Sequence, residues 1–478
     1  MRPPDANPAT LVRRLSLADC ILLLAGGIIG SGIFLTAQGV AAETRYPLLF
    51  LALWGLGAGI TLLACFAFAE LGGMFPSAGG QYVYMREAYG DAAGFLYGWM
   101  YFTVSATGTM AALGVGFATY LGQALPALEP QRAILSIQQF HVASLHLGPF
   151  ALTRGHLIAL FAIALQTLIN VFGVKKGAIL QNIATWAKFG AIGCFVVLGL
   201  AVGHGSWDHY RHAIPATPGS PSMLTAIGVA LIAVFWAYDG WVYVTFVAGE
   251  VKEPQRTLPR SLIWGMTLVG VIYLAINAVY LYALPMSEIA AHEAVAQTAA
   301  VSMFSPRVAP WLSFMVALSC FGAMAPCLMS GARVYYAMAE DGVFFRSLAK
   351  VHPRWRTPVM SLVLQAIWAA ALALMGKYDE LFTYVMFMMV LSYVLTVAAL
   401  FVLRRKKPDL ERPYRCTGYP FLPALYVALG SLWAVNAALQ EKKATVRGLL
   451  IVLVGVPFYF YWKWRRDAAS PSSPATLQ

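Results

Sequence analysis

The sequence predicts an all-α polytopic membrane protein with about 12 transmembrane helices. The first observation is the composition: 59% of the 478 residues are hydrophobic and 11% are charged, whereas soluble domains carry about 25% charged residues. The mean hydropathy is accordingly +0.67. The second observation is that apolar stretches long enough to cross a bilayer recur along the chain, near residues 17–40, 47–73, 92–122, 152–172, 179–202, 222–249, 261–284, 309–338, 358–376, 380–403, 419–439 and 446–463.

The basic residues lie in short clusters between these apolar stretches. About two-thirds of the 33 lysines and arginines fall in the loops on the side of the N-terminus. Because cytoplasmic loops carry the excess of Lys and Arg, we predict that both termini are cytoplasmic and that the protein resides in the cell membrane. The net charge of +12 then reflects membrane topology, and we expect no nucleic-acid partner.

The six cysteines and eight histidines form no recognised ligand pattern. Five cysteines lie inside apolar stretches, and their spacing matches neither a CxxC metal pair nor a disulfide framework. The histidines lie in or beside loops and include no HExxH pair. We therefore expect no metal, no cofactor and no enzymatic centre.

The first apolar stretch contains the sequence Gly30-Ser31-Gly32 near its middle. Two glycines favour non-helical dihedral angles, and a serine can replace a lost backbone hydrogen bond. A helix that breaks within a membrane exposes backbone N–H groups and a positive dipole end, which together attract an anion. Close helix packing through the spacing of Gly26 and Gly30 is the alternative explanation.

The sixth stretch carries Asp239 and Gly240 near its middle. A carboxylate at the bilayer centre costs about 2.5–3.5 kcal/mol on insertion scales, so it requires water, a partner or a function. An aspartate that caps a kink and faces a wet cavity would satisfy the same constraint.

The two interruptions lie five stretches apart and would run in opposite directions across the membrane. This is the arrangement of inverted-topology repeats, in which discontinuous helices flank a central binding site. The first helix would offer N–H groups at Ser31 and Gly32 to an anion, and the second would offer carbonyls around Trp236 and Ala237 to a cation. A site with both polarities fits a zwitterion, which indicates an α-amino acid. A membrane enzyme would need a nucleophile–base pair or a metal cluster, and a channel would need filter loops or rings of charge.

The chain resembles the amino acid–polyamine–organocation superfamily, and within it the L-type amino acid transporters and their bacterial relatives. Three motifs carry the resemblance, at residues 27–34, 68–82 and 236–241, the last followed by residues 249–256. The resemblance implies a LeuT-type fold of two inverted five-helix repeats with helices 1 and 6 unwound in mid-membrane. It divides the chain into an N-terminal tail (1–14), a first repeat (15–205), an inverted second repeat (222–405), two further helices (416–465) and a C-terminal tail (466–478).

The resemblance further implies a secondary transporter that moves amino acids by alternating access. The family's contacts with the substrate carboxylate correspond here to Ile28, Gly30, Ser31 and Gly32. Its contacts with the amino group correspond to Trp236, Ala237 and Asp239, and Trp236 aligns with an aromatic residue that closes the site from outside.

Lys188 is a second charged residue deep in an apolar stretch, about ten residues from the nearer loop. A lysine that extends to the interface is the simple explanation. The family places a lysine here where sodium-coupled relatives bind an ion, so we expect its ammonium to brace the broken first helix. For Glu70 and Arg86 we expect either a cytoplasmic gate with Lys252 or Arg256, or an ordinary salt bridge.

Departures from the family's sequence pattern bear on the expected partner and the expected substrate. The segment 123–151 lacks the cysteine that joins animal relatives to a heavy subunit, so we expect no disulfide-linked partner. Asp239 occurs in relatives that carry cationic amino acids and in others that carry small neutral ones. We favour exchange of neutral L-amino acids, with a proton-coupled or cationic permease as the alternative and a transporter-like amino acid receptor as the different class.

Overall fold

A computed structural model describes residues 11–137, 140–142, 145–147, 150–215, 222–375, 378–440 and 442–469. Most of them are helical. The helices are α1 (Leu17–Ile28), α2 (Gly32–Thr44), α3 (Pro47–Met74), α4 (Gln81–Tyr89), α5 (Asp91–Met100), α6 (Ala106–Ala124), α7 (Arg154–Val171), α8 (Val174–Val202), α9 (Met223–Ala237), α10 (Tyr243–Phe246), α11 (Pro254–Ala283), α12 (Met286–Ala291), α13 (Val295–Met303), α14 (Ala309–Glu340), α15 (Val359–Leu374), α16 (Tyr378–Lys406), α17 (Phe421–Gln440) and α18 (Lys442–Ala469).

The helices confirm the prediction of an all-α polytopic membrane protein. Among the described residues, 8 helical segments are long and apolar enough to cross a membrane, and the bent pair α1–α2 makes a ninth. Three shorter apolar helices, α9, α15 and α17, occupy the remaining predicted stretches. In the third stretch a π-helical turn, Tyr101–Ser105, joins α5 to α6. Span positions were predictable because a bilayer fixes the length of an apolar helix.

A small region of β-structure departs from the all-helical prediction. Strand β1 (Ala133–Ile137) pairs antiparallel with β4 (Phe150–Thr153), and β2 (Phe140–Val142) pairs with β3 (Leu145–Leu147). The sequence of β1, Ala-Ile-Leu-Ser-Ile, includes β-branched residues that favour extended backbone. The sequence predicts segment 123–151 only as the loop between the third and fourth stretches.

Burial separates a central group of helices from a peripheral one. In the most apolar part of α14 and of the α5–α6 segment, 72% of the residues are buried. The corresponding share is 28% in α8 and in α18. An aromatic cluster at the centre contains Trp54, Tyr238 and Tyr273, whose rings lie 4.9–6.1 Å apart. The Tyr238 hydroxyl donates to the Trp54 carbonyl at 3.0 Å. This cluster fixes α3, α11 and the C-terminal end of α9 against one another.

Candidate functional site

The first interruption lies between α1, which ends at Ile28, and α2, which begins at Gly32. The axes of the two helices differ by 47°. The Gly30 N–H turns back to the Ile28 carbonyl at 2.8 Å, a bond too short in sequence to continue an α-helix. The helical ladder is therefore broken at the Gly-Ser-Gly sequence, as its backbone preferences predict. The depth of this break in a bilayer stays a prediction.

Two side chains from other helices bind the carbonyl groups that the first interruption leaves free. The Lys188 ammonium donates to Gly26 O at 3.0 Å and to Ile29 O at 2.6 Å, and this side chain is 5% exposed. The Ser319 hydroxyl lies 3.0 Å from Ile29 O and 3.1 Å from Gly30 O. Lys188 thus contacts the broken segment rather than extending to the interface.

The backbone N–H groups at the start of α2 have a different environment. The amides of Phe34 and Leu35 return to the Ser31 carbonyl, each at 3.1 Å. Within the described chain, no hydrogen-bond acceptor lies at the amides of Ser31 and Gly32. Ser31 is buried, with 3% of its surface exposed. These amides sit at the positive end of α2, a geometry suited to a carboxylate oxygen.

The second interruption follows Ala237, where α9 ends. The chain turns through Gly240, whose φ of +102° lies in the region that favours glycine, before α10 begins at Tyr243. The Asp239 N–H turns back to the Trp236 carbonyl at 3.0 Å. The Trp236 carbonyl therefore already accepts a backbone hydrogen bond. The Trp236 side chain is half-buried.

The carboxylate of Asp239 faces a neighbouring helix. It accepts a hydrogen bond from the Tyr393 hydroxyl at 2.5 Å and is largely buried. A small cavity adjoins the pair and is lined mainly by apolar groups from Ile60, Thr61, Phe235, Trp241, Val390 and Tyr426. A carboxylate beside such a cavity can interact with a polar or cationic group that enters it.

The two interruptions are in direct contact. The Tyr273 hydroxyl lies 3.1 Å from Ile28 O and 3.0 Å from Ala237 O, so its hydrogen is shared between the ends of α1 and α9. A Cβ atom on Gly32 would lie 2.8 Å from the Ala237 Cα atom. The structure therefore places two of the residues predicted for the carboxylate side, Ile28 and Gly32, next to Ala237 of the predicted ammonium side. Tyr273, Ser319 and Tyr393 carry no sequence signal, because hydroxyl side chains are common in apolar helices.

Ion pairs cluster at the other end of the bundle. Glu70 is fully buried and accepts hydrogen bonds from Arg404 at 2.9 and 2.6 Å and from the Cys416 N–H at 2.6 Å, with Arg412 at 3.3 Å. Of the two alternatives expected for Glu70, the gate with Lys252 or Arg256 is wrong, and the structure has a salt bridge, which is buried and not solvated. Sequence distance hid the true partner, since Glu70 and Arg404 lie on different helices 334 residues apart.

Arg86 likewise has partners that were not expected. Its guanidinium contacts Asp341 and donates to Glu87 at 2.9 Å. Burial tends to raise the pKa of Glu87, but hydrogen bonds from Lys407 and Arg86 outweigh it and lower that pKa below its usual range. These ion pairs join α4 to the residues that follow α14 and α16.

No group of three His, Cys, Asp or Glu side chains able to hold a metal occurs in the part of the chain that the structure describes. The six cysteines are free thiols, of which only Cys194 is exposed.

Helices that break against one another inside a bundle of membrane spans are typical of secondary transporters, and that is the class of protein this arrangement indicates. Sequence comparison agrees: the chain belongs to the amino acid permease family, whose profile matches residues 15–458. This family consists of transport proteins of the amino acid–polyamine–organocation superfamily, not of enzymes.

Three relatives illustrate the similarity. The chain is 31% identical to the serine/threonine exchanger SteT of Bacillus subtilis over 460 residues, which is 95% of this chain and 98% of that protein. It is 28% identical to the mouse b(0,+)-type amino acid transporter 1 over 477 residues, covering 98% and 92% of the two chains. It is 29% identical to the human large neutral amino acids transporter small subunit 2, covering 96% and 84%.

Proposed function

We propose that the protein exchanges neutral L-amino acids across the cell membrane by alternating access. The observation that carries this proposal is the pair of helix interruptions in contact at Gly32 and Ala237, with two acceptor-free amides on one side. A zwitterion complements such a site, because its carboxylate can accept from amides and its ammonium can donate to oxygen atoms.

In this proposal the substrate carboxylate binds the amides of Ser31 and Gly32, beside Ile28 and Gly30. The ammonium binds at the end of α9, where Trp236, Ala237 and Asp239 supply oxygen atoms. Because the carbonyls of Trp236 and Ala237 already accept protein hydrogen bonds, substrate binding requires them to accept a second bond or to exchange partners. Their second lone pairs make a second bond feasible.

Trp236 would close the site from outside, and Lys188 would hold the broken helix in place. Lys188 is suited to this role because its ammonium spans Gly26 and Ile29 on both sides of the end of α1. A lysine ammonium at this point would make an external sodium ion unnecessary.

The membrane topology follows from the distribution of basic residues. Both termini would be cytoplasmic, with the first repeat at 15–205, the inverted second repeat at 222–405 and two further helices at 416–465. The ion-pair cluster around Glu70 and Arg86 would then face the cytoplasm. Since segment 123–151 contains no cysteine, we expect function without a disulfide-linked heavy subunit.

Two observations bear on the substrate class. One relative is named a serine/threonine exchanger and another a transporter of large neutral amino acids. In this chain the Tyr393 hydroxyl donates a hydrogen bond to the Asp239 carboxylate. Because this carboxylate already has a partner, the site favours substrates with neutral side chains over substrates with cationic ones. A buried carboxylate can also pair with a cationic side chain or bind a proton. The second candidate function is therefore a permease for cationic amino acids, or a permease coupled to protons.

Counterflow with purified protein in proteoliposomes tests the proposal. Vesicles loaded with one neutral amino acid should accumulate labelled serine or threonine faster than empty vesicles do, without sodium. Faster accumulation of arginine or lysine, or dependence on a pH gradient, would favour the second candidate. Specific binding without counterflow would identify a receptor instead of a transporter.

A further inference from the structure

An open groove lies on the surface between the segment that precedes α1 and the start of α11. Its volume is about 430 Å³, within the range of about 300–1,000 Å³ that holds small ligands. The residues that line it are Arg13, Pro76, Glu253, Pro254, Gln255 and Arg256. Because its two arginines come from separate segments of the chain, a ligand in the groove would contact both segments.

Backbone hydrogen bonds hold these two segments side by side. The amides of Arg14 and Leu15 donate to the Glu250 carbonyl at 2.7 and 2.9 Å, and the Lys252 N–H donates to the Leu15 carbonyl at 2.9 Å. These bonds bring the arginines before α1 next to the basic residues at the start of α11. The main chain thus builds the groove, and its charged side chains are left for another partner.

The positive charge around the groove exceeds the negative charge. The basic residues that line it or adjoin it in sequence are all exposed: Arg13, Arg14, Lys252, Arg256 and Arg260. Within the described chain, the four arginines of this set form no salt bridge. Of the nearby carboxylates, Glu250 pairs with Arg333 and Asp19 accepts from Asn182, while Glu253 lines the groove itself. The groove therefore complements an anion.

One face of α11 connects the groove to the lipid-facing surface. Arg256, Arg260 and Trp264 follow one another at intervals of four residues, so they lie on the same face of the helix. This face continues with the exposed apolar side chains of Leu268 and Val271. Tryptophan is enriched where a membrane meets water. The face thus passes from basic to aromatic to apolar, which is the order of head group, interface and acyl chains in a phospholipid.

We propose that the groove binds the head group of an anionic phospholipid. Arg13 and Arg256 would donate to the phosphate oxygens, because a planar guanidinium matches phosphate geometry. The acyl chains would lie along α11 beyond Trp264. A soluble phosphate has the same charge but gains nothing from the apolar part of this face. The site does not depend on which amino acids the protein carries.

Native mass spectrometry of the full chain in detergent tests the head group. Dioleoyl phosphatidylglycerol should bind about tenfold more tightly than dioleoyl phosphatidylcholine, which has the same chains and no net charge. Equal binding of the two lipids would overturn the anionic head group. Glycerol 3-phosphate, which lacks acyl chains, should displace phosphatidylglycerol at least about tenfold less well than the lipid itself does. Equal displacement would assign the groove to a soluble phosphate and overturn the lipid.

Matched variants test the place of binding. Arg13→Gln and Arg256→Gln should each weaken the binding of phosphatidylglycerol about fivefold, and together more than about tenfold, with phosphatidylcholine binding unchanged. Arg354→Gln removes the same charge from an exposed arginine in another loop and should leave both lipids unaffected. An unchanged preference for phosphatidylglycerol in the double variant, or an equal loss in Arg354→Gln, would contradict the proposal.

Discussion

The two helix interruptions differ in how their polar groups are satisfied. In the first, between α1 and α2, Lys188, Ser319 and Tyr273 bind the carbonyls, while the amides of Ser31 and Gly32 have no acceptor within the described chain. In the second, after α9, local turns and the Tyr273 hydroxyl bind the free backbone groups, and the side chain directed toward a neighbour is the Asp239 carboxylate.

This difference assigns separate tasks to the two regions. On its carbonyl side, the first interruption is bound by three side chains of other helices, while its amides are left for a ligand. The second bears its functional group on a side chain that another side chain, Tyr393, restrains. A site built this way would bind the invariant carboxylate of every amino acid with backbone and would leave discrimination to a few side chains.

Removing the brace of the first interruption should have the largest effect. Lys188→Ala should lower exchange at least about a hundredfold, because two charge-assisted hydrogen bonds are worth about 1.5–3 kcal/mol each and about 1.4 kcal/mol is tenfold. Exchange per inserted protein in proteoliposomes measures the loss. Lys463→Ala, at an exposed position, is the control. Exchange within about twofold of wild type would remove Lys188 from the mechanism.

Separating the two interruptions should have the next largest effect. Gly32→Ala would place a Cβ atom 2.8 Å from the Ala237 Cα atom, and overpacking of this kind costs about 1–3 kcal/mol. We expect exchange to fall about tenfold or more. Gly39→Ala, in the same helix with open space around it, should be tolerated. Equal activity of the two variants would show that the contact is dispensable.

Cutting the link between the interruptions should mainly affect stability. Tyr273→Phe leaves two buried carbonyls without their shared donor and should lower the free energy of unfolding by about 1–3 kcal/mol. Thermal unfolding in detergent measures the change, and Tyr335→Phe, whose hydroxyl has no partner among the described residues, is the reference. If both variants unfold at the same temperature, Tyr273 does not join the two helix ends.

Releasing Asp239 should produce the smallest and most selective effect. Tyr393→Phe removes the hydroxyl that competes with a cationic side chain for the buried carboxylate, a hydrogen bond with a net worth of about 0.5–1.5 kcal/mol. The ratio of lysine to serine uptake should therefore rise about two- to tenfold. Tyr426→Phe, which changes the same cavity elsewhere, should leave the ratio unchanged. An unchanged ratio in Tyr393→Phe would show that other residues discriminate between cationic and neutral amino acids.

Sequence reasoning succeeded where one local property decides the outcome. Bilayer thickness fixes span length, Gly30 and Gly32 weaken a helix, and a lysine as deep as Lys188 needs a partner. It failed where the outcome depends on which distant side chains meet. The acceptors of Tyr273 and the pairing of Glu70 with Arg404 arise from packing, and no spacing in the sequence encodes them.

The most direct test of the paired-interruption site is a structure of the protein with a bound neutral amino acid. We predict that the substrate carboxylate lies about 3 Å from the amide nitrogens of Ser31 and Gly32, with the ammonium toward the end of α9. A substrate bound away from both interruptions, or an unbroken helix through residues 28–34 or 235–241, would contradict the account.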